Sequence, residues 1–192
     1  ISVSADGTAR MWDLDTAREM RKTVGHKGPI LAMSVAFDSE RMATAGADTT
    51  VRIWKSQPQR QEELLTYHSS PVVGVDFSPE GTFLASVDED GIVKIWNLPQ
   101  KTPMRAPAAA GTGHSCVQFL SSSRSFATGG QDGRVRIWKL PLAAVQHTLH
   151  GHTGPVRALA YHDSAALLAS AGDDGVIQLW DTKTWRPANT FQ

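Results

Sequence analysis

Five of the six tryptophans fall at one interval: Trp12, Trp54, Trp96, Trp138 and Trp180 are each separated by 42 residues. So rare a residue does not keep such a beat by chance. A period of about 40–45 residues is that of a unit made of four short strands. One such unit cannot bury its apolar face alone, so copies must stack on one another. The 192 residues are therefore not one ordinary domain but about four and a half periods of a repeat.

Other residues keep the same beat. Six positions before each of these tryptophans stands an aspartate: Asp6, Asp48, Asp90, Asp132 and Asp174. Ten positions before stands a small hydroxyl residue: Ser2, Thr44, Ser86, Thr128 and Ser170. Twenty-eight before stand His26, His68 and His152, with Ala110 in the remaining unit. The segments Val51-Arg52-Ile53-Trp54, Val93-Lys94-Ile95-Trp96 and Val135-Arg136-Ile137-Trp138 alternate apolar with polar, as two-faced strands do. The pairs Asp90-Gly91, Asp132-Gly133 and Asp174-Gly175 precede them as tight turns. No segment carries a helical period, so the fold class is all-β.

A buried indole has one N–H that needs an acceptor. The hydroxyl ten residues earlier can accept it and donate onward to a histidine, with the turn aspartate closing the chain. At these residues the sequence resembles the WD-repeat (WD40) family of β-propellers, over essentially its whole length. Trp12-Asp13 and Trp180-Asp181 are WD dipeptides, and Gly25-His26 and Gly151-His152 are GH pairs. The other units drift to Trp54-Lys55, Trp96-Asn97, Trp138-Lys139 and Tyr67-His68. The resemblance implies a Trp–Ser/Thr–His–Asp network in each blade. It falls on Trp54, Thr44, His26 and Asp48; on Trp96, Ser86, His68 and Asp90; and on Trp180, Ser170, His152 and Asp174. In the unit with Ala110 only Trp138, Thr128 and Asp132 are left, and Thr128 and Asp132 are expected to be partly paired. It further implies antiparallel four-stranded blades: half a blade at 1–25, then blades at 26–67, 68–109, 110–151 and 152–192. A family ring most often has seven, so the expectation is part of such a ring, closed by further propeller sequence or by a partner chain.

Ser, His and Asp in one set could suggest a hydrolase. A nucleophile, however, needs an exposed hydroxyl beside an oxyanion hole, and occurs once rather than in every repeat. No Gly-Xaa-Ser-Xaa-Gly elbow is present. His147, His150 and His152 lack the further ligands a zinc site wants, so no metal and no cofactor is expected. Asp88-Glu89-Asp90 and Asp173-Asp174 offer too few oxygens for calcium. Cys116 reads as a small core residue, and one cysteine excludes an intrachain disulfide framework and fits a reducing compartment. Trp185, off the beat, reads as a cover for apolar surface at a blade edge.

The run from Pro99 to Gly113 holds three prolines and so cannot form a regular inner strand; an outermost strand would tolerate them. His114 does not replace the missing histidine. Counted from Trp138, it falls where Val72 and Val156 open the first strand of their units.

Lysine plus arginine total 19 against 19 aspartate plus glutamate. That balance speaks against bulk nucleic-acid binding and against a polybasic membrane anchor. No apolar run reaches the ~20 residues of a membrane helix. The expectation is an intracellular, cytoplasmic or nuclear, non-catalytic scaffold for other proteins or peptides, with nucleic acid met only through a complex. In the family, partners often dock where the second-to-third-strand turns and the blade connections meet. That face maps to Leu31, Ala47, Val73, Glu89, Ser115, Gln131, Arg157 and Asp173. Trp180-Asp181-Thr182-Lys183 also resembles the Trp-Asp-Xaa-Arg box of substrate receptors for cullin-type ubiquitin ligases, with Lys in place of Arg.

Overall fold

The computed structural model describes the chain except for residues 56–62, 101, 105–112, 122–123 and 141–143. Nineteen strands among the described residues form five antiparallel sheets. The first sheet has three strands, β1 (Ser2–Val3), β2 (Thr8–Trp12) and β3 (Glu19–Val24). The second joins β4 (Ile30–Val35), β5 (Arg41–Gly46), β6 (Val51–Lys55) and β7 (Glu63–Leu65). The third joins β8 (Val72–Phe77), β9 (Phe83–Asp88), β10 (Val93–Asn97) and β11 (Thr102–Met104). The fourth joins β12 (His114–Phe119), β13 (Ser125–Gly130), β14 (Arg134–Lys139) and β15 (Ala144–His150). The fifth joins β16 (Val156–His162), β17 (Leu167–Gly172), β18 (Ile177–Asp181) and β19 (Arg186–Phe191). Each four-stranded sheet is a meander in chain order. The first strands β4, β8, β12 and β16 of the four-stranded sheets touch in succession, so they are the innermost strands of radiating blades that do not close into a ring, while β1 stands in the first sheet at the place of the second strand β5.

Alternation in the third strands explains the stacking. Val51 and Ile53 face the following blade, packing with Val72, Val75, Leu84 and Trp96. Val93 and Ile95 pack with Val117, Phe126 and Trp138 in the same way, and Val135 and Ile137 with Val156, Leu168 and Trp180. Each tryptophan therefore plugs the seam with the blade before it. Trp96, Trp138 and Trp180 are at most 2% exposed, whereas Trp12 of the first sheet is 39% exposed.

The turns before these strands use the left-handed conformation at Gly91, Gly133 and Gly175 (φ 79°, 74° and 75°), as Asp-Gly pairs require. β11 is the outermost strand of its blade, and Pro103 pairs there with Trp96, where a missing N–H is tolerated. His114 opens β12 opposite Gly130, the register in which Val72 faces Asp88 and Val156 faces Gly172. Ala110 lies outside the described residues.

Candidate functional site: a polar spine and a bulged face

Two repeated constructions stand out, one inside the blades and one at their ends. Inside, Trp54 Nε1 donates to Thr44 Oγ1 at 2.8 Å, and Thr44 Oγ1 lies 2.8 Å from His26 Nε2. His26 Nδ1 is 2.9 Å from Asp48 Oδ1. The carboxylate accepts only, so the ring donates from Nδ1 and accepts the hydroxyl proton at Nε2. One neutral tautomer thus satisfies the whole chain, which runs in one direction from indole to carboxylate. Burial pushes the Asp48 carboxyl up, but donation from Lys27 N, His26 and Thr50 outweighs it and holds the group at about 2. The last blade repeats the design: Trp180 Nε1 to Ser170 Oγ 2.9 Å, Ser170 Oγ to His152 Nε2 2.8 Å, and His152 Nδ1 to both Asp174 oxygens at 3.1 Å.

The third sheet departs from the expected set. Trp96 Nε1 donates to Ser86 Oγ at 3.0 Å and Ser86 lies 2.7 Å from His68 Nε2, but His68 Nδ1 meets Asp88 Oδ2 at 2.7 Å. Asp90 instead accepts from Ser70 Oγ in an exposed contact. Asp88 replaces Asp90 for a steric reason. The position held by Asp88 is Gly46, Gly130 and Gly172 in the other four-stranded units and Ser4 in the first sheet. A Cβ on Gly46 would stand 2.5 Å from His26 Nδ1 and 2.9 Å from the Asp48 carboxylate, and on Gly172 it would stand 2.8 Å from both equivalents. Glycine leaves the room into which the turn aspartate swings. Asp88 fills that room with its own carboxylate, and also accepts from Ile92 N at 2.8 Å. A glycine-to-aspartate change at this register was the signal that reading along the period passed over. Burial lowers the pKa of His68, in keeping with a neutral ring.

In the fourth sheet Trp138 Nε1 donates to Thr128 Oγ1 at 2.8 Å. Asp132, expected to be partly paired, is instead gripped by Arg136, with Nη2 2.7 Å and Nη1 3.1 Å from its two oxygens. Those bonds hold the Asp132 carboxyl below the usual range. Arg136 is 7% exposed, so its guanidinium occupies the blade where the histidine is missing. His114, 1% exposed, sets its ring edge-on to Trp138 at 5.9 Å, and its Nδ1 has no hydrogen-bond partner among the described residues. Burial, with the Arg136 charge adding, pushes this ring down to about 4, so it is neutral near pH 7.

The second construction lies where the innermost strands begin. Pairing skips one residue between Ile30 and Ala32, Val72 and Gly74, His114 and Cys116, and Val156 and Ala158. The residues left over are Leu31, Val73, Ser115 and Arg157. A bulge re-aims its side chain, and here the same bulge recurs in four blades. Opposite each, Ala47 N donates to Pro29 O, Glu89 N to Pro71 O, Gln131 N to Gly113 O and Asp173 N to Pro155 O, at 2.7–2.9 Å. The eight residues are therefore four equivalent pairs. Arg157 and Asp173 show that the members of a pair come within reach: Nε lies 2.9 Å from both carboxylate oxygens and Nη2 2.6 Å from one.

The pairs differ in what they leave open. Leu31 is 43% exposed, and Glu89 and Gln131 are exposed. Val73 packs partly into the seam, and Ser115 Oγ donates to the Val156 carbonyl of the next blade. Arg157 and Asp173 are exposed but bound to each other.

The family model described as WD domain, G-beta repeat matches residues 18–55, 59–97, 108–139 and 144–181, more than half of the chain. The chain belongs to the WD40 repeat family. Comparison with curated proteins returns no match.

The remaining candidates of this WD40 chain take structural places. No group of three or more His, Cys, Asp or Glu residues suited to a metal occurs among the described residues. His147 stacks on Trp185 with centroids 5.3 Å apart, so Trp185 covers the outer edge of the neighbouring blade. Burial pushes the Cys116 thiol up to about 11, which makes it a poor nucleophile. In the Trp180-Asp181-Thr182-Lys183 segment, Asp181 Oδ1 accepts from Lys183 N and Thr184 N at 2.9 and 2.8 Å and forms the turn. Lys183 is exposed.

A single-copy acid was not singled out from the sequence. Asp76, in the middle of β8, accepts from Ser34 Oγ at 2.9 Å on one neighbouring blade. On the other it accepts from Gln118 Nε2 at 2.9 Å and Phe119 N at 2.7 Å. Residues 34, 76 and 118 share one register of the repeat. Asp76 thus laces three innermost strands together.

Proposed function

We propose that this chain is a non-catalytic interaction scaffold which holds a protein or peptide partner on its bulged face. WD40 repeats are in general protein-interaction scaffolds. The observation that carries the reading is the recurrence of one bulge in four blades, which sets variable side chains on an invariant frame. Recognition on such frames lies in the variable positions. The frame-building residues are equally informative. Thr44, Ser86, Thr128 and Ser170, with His26, His68 and His152 and the acids Asp48, Asp88, Asp132 and Asp174, are bonded to neighbours inside their blades, so these hydroxyls are committed to structure.

Leu31 supplies apolar contact, Glu89 an exposed charge and Gln131 an adaptable amide. Arg157 and Asp173 act as a locked pair, with Ala47, Val73 and Ser115 as filler between them. Leu31→Ala with Glu89→Ala is expected to weaken partner binding at least tenfold in a titration, while thermal melting stays within a few degrees of wild type. Unchanged affinity in the double variant would refute the face assignment. The finer reading as a substrate receptor for a cullin-type ligase would be carried by Lys183 at the edge of the last blade. It predicts co-purification with the ligase adaptor, lost on Lys183→Glu.

A further inference from the structure

The end of the innermost strands opposite the bulges carries a second construction, independent of the bulged face. A cavity of about 410 Å³ opens there among four consecutive blades. Its walls include Val35, Phe77, Phe119 and Tyr161, which stand 42 residues apart at one register of the repeat. Two residues further on is a second register, at which Phe37 and Asp163 also line the cavity. Phe37 occupies the place of Pro79 in the next unit and is 89% exposed, more than any other aromatic residue described. Val35 beside it is 43% exposed. A phenylalanine held in water at the lip of an apolar cavity is unfavourable for the free chain and favourable once covered.

Charge tells what kind of cover fits. Among the described lining residues only Asp163 is charged. Tyr161 Oη donates to its Oδ1 at 2.8 Å and so fixes the carboxylate at the rim. The nearby cation Arg41 lies over the Phe77 ring, 5.6 Å from its centroid, but its N–H groups are committed: Nε and Nη2 reach Asp38 at 2.9 and 2.7 Å, and Nη1 reaches the Gly81 carbonyl at 2.8 Å. The cavity therefore joins an aromatic wall to one anchored negative charge, with no cation among its described lining residues and the guanidinium behind Phe77 already paired with Asp38. A volume of this size lies within the range of ligand-binding clefts and admits one or two large apolar side chains.

We infer that this cavity is a second docking site, and that it takes a segment of a partner protein bearing an aromatic or leucine side chain next to a lysine or arginine. The apolar side chain enters between Phe37, Phe77 and Tyr161, and the cation meets Asp163. The test is selection of random dodecapeptides displayed on phage against the chain, followed by titration of the selected peptides as synthetic probes. Enriched peptides should pair an aromatic or leucine residue with Lys or Arg. They should bind Phe37→Ser and Asp163→Lys at least tenfold more weakly than wild type, lose affinity as salt rises, and bind the Leu31→Ala/Glu89→Ala variant unchanged. Phe37 is so exposed that its replacement leaves the fold intact, which melting curves verify. Failure to enrich, enrichment of acidic peptides, or equal binding to Phe37→Ser would overturn the inference. So would a wild-type chain that self-associates in light scattering and becomes monomeric on Phe37→Ser, since the occupant would then be a second copy.

Discussion

Replacing Asp88 with alanine is expected to destabilise the chain by about 3 kcal/mol, whereas Asp90→Ala should stay within about 0.5 kcal/mol of wild type. The difference follows from position. The Asp88 and His68 side chains are 1% and 0% exposed and lie 2.7 Å apart. Removing the carboxylate strands the buried His68 ring N–H and takes the acceptor from the part-buried Ile92 amide. Asp90 loses only an exposed contact with Ser70. A third variant sharpens the test. Asp88→Gly reopens the room that glycine provides at 46 and 172, so Asp90 can swing inward and take the histidine. It should recover most of the loss, and Asp88→Gly with Asp90→Ala should lose it again. Chemical denaturation of the four variants reads this directly. Equal losses for Asp88→Ala and Asp90→Ala would contradict the assignment.

The second large effect depends on pH. Burial raises the Asp76 carboxyl to about 6, despite donation from Phe119 N, Ser34 and Phe77 N. A carboxyl whose folded value is raised favours the fold fully below its unfolded value near 3.8, and that contribution is lost as pH climbs through about 6. At pH 7 the ionised Asp76 therefore costs up to about 3 kcal/mol relative to acid, for a shift of ~2 pH units. Asp76→Asn cannot ionise and keeps the geometry. Its oxygen accepts from Gln118 and Phe119, and its amide donates to Ser34 once that hydroxyl turns. The variant should melt higher than wild type above pH 6, with the gap closing toward pH 4. Other carboxylates titrate alike in both proteins and cancel in the difference. An Asn variant that is less stable than wild type by an amount that grows as pH rises through about 6 would show that the lacing needs the charge.

These two residues mark where reading the sequence stopped. The tryptophans, hydroxyls and most of the histidines could be placed in the blades because antiparallel register turns a fixed spacing into a fixed contact. Trp54 and Thr44 are ten residues apart in sequence and bonded in space. Asp88 and Asp90 are two apart in one turn, and only the steric room at the glycine position separates their roles. Asp76 sits in an alternating strand, where alternation marks it as a polar-face residue. Its partners come from blades on either side, about 42 residues away in both directions, which no local pattern displays. Arg136 was passed over because a long side chain on one strand can stand in for a ring carried by another segment. The bulged face was legible as a set of positions but not as a construction. One unpaired residue per innermost strand is invisible in a pattern that alternates on both sides of it.

The central claim is that the bulged face is where this scaffold holds its partner. Amide hydrogen exchange of the protein, alone and with a captured partner bound, tests it most directly. The account predicts that the partner slows exchange around Leu31, Ala47, Val73, Glu89 and Gln131, and leaves the outer strands β15 and β19 unchanged. Protection confined to those outer strands, with none at the bulges, would contradict it.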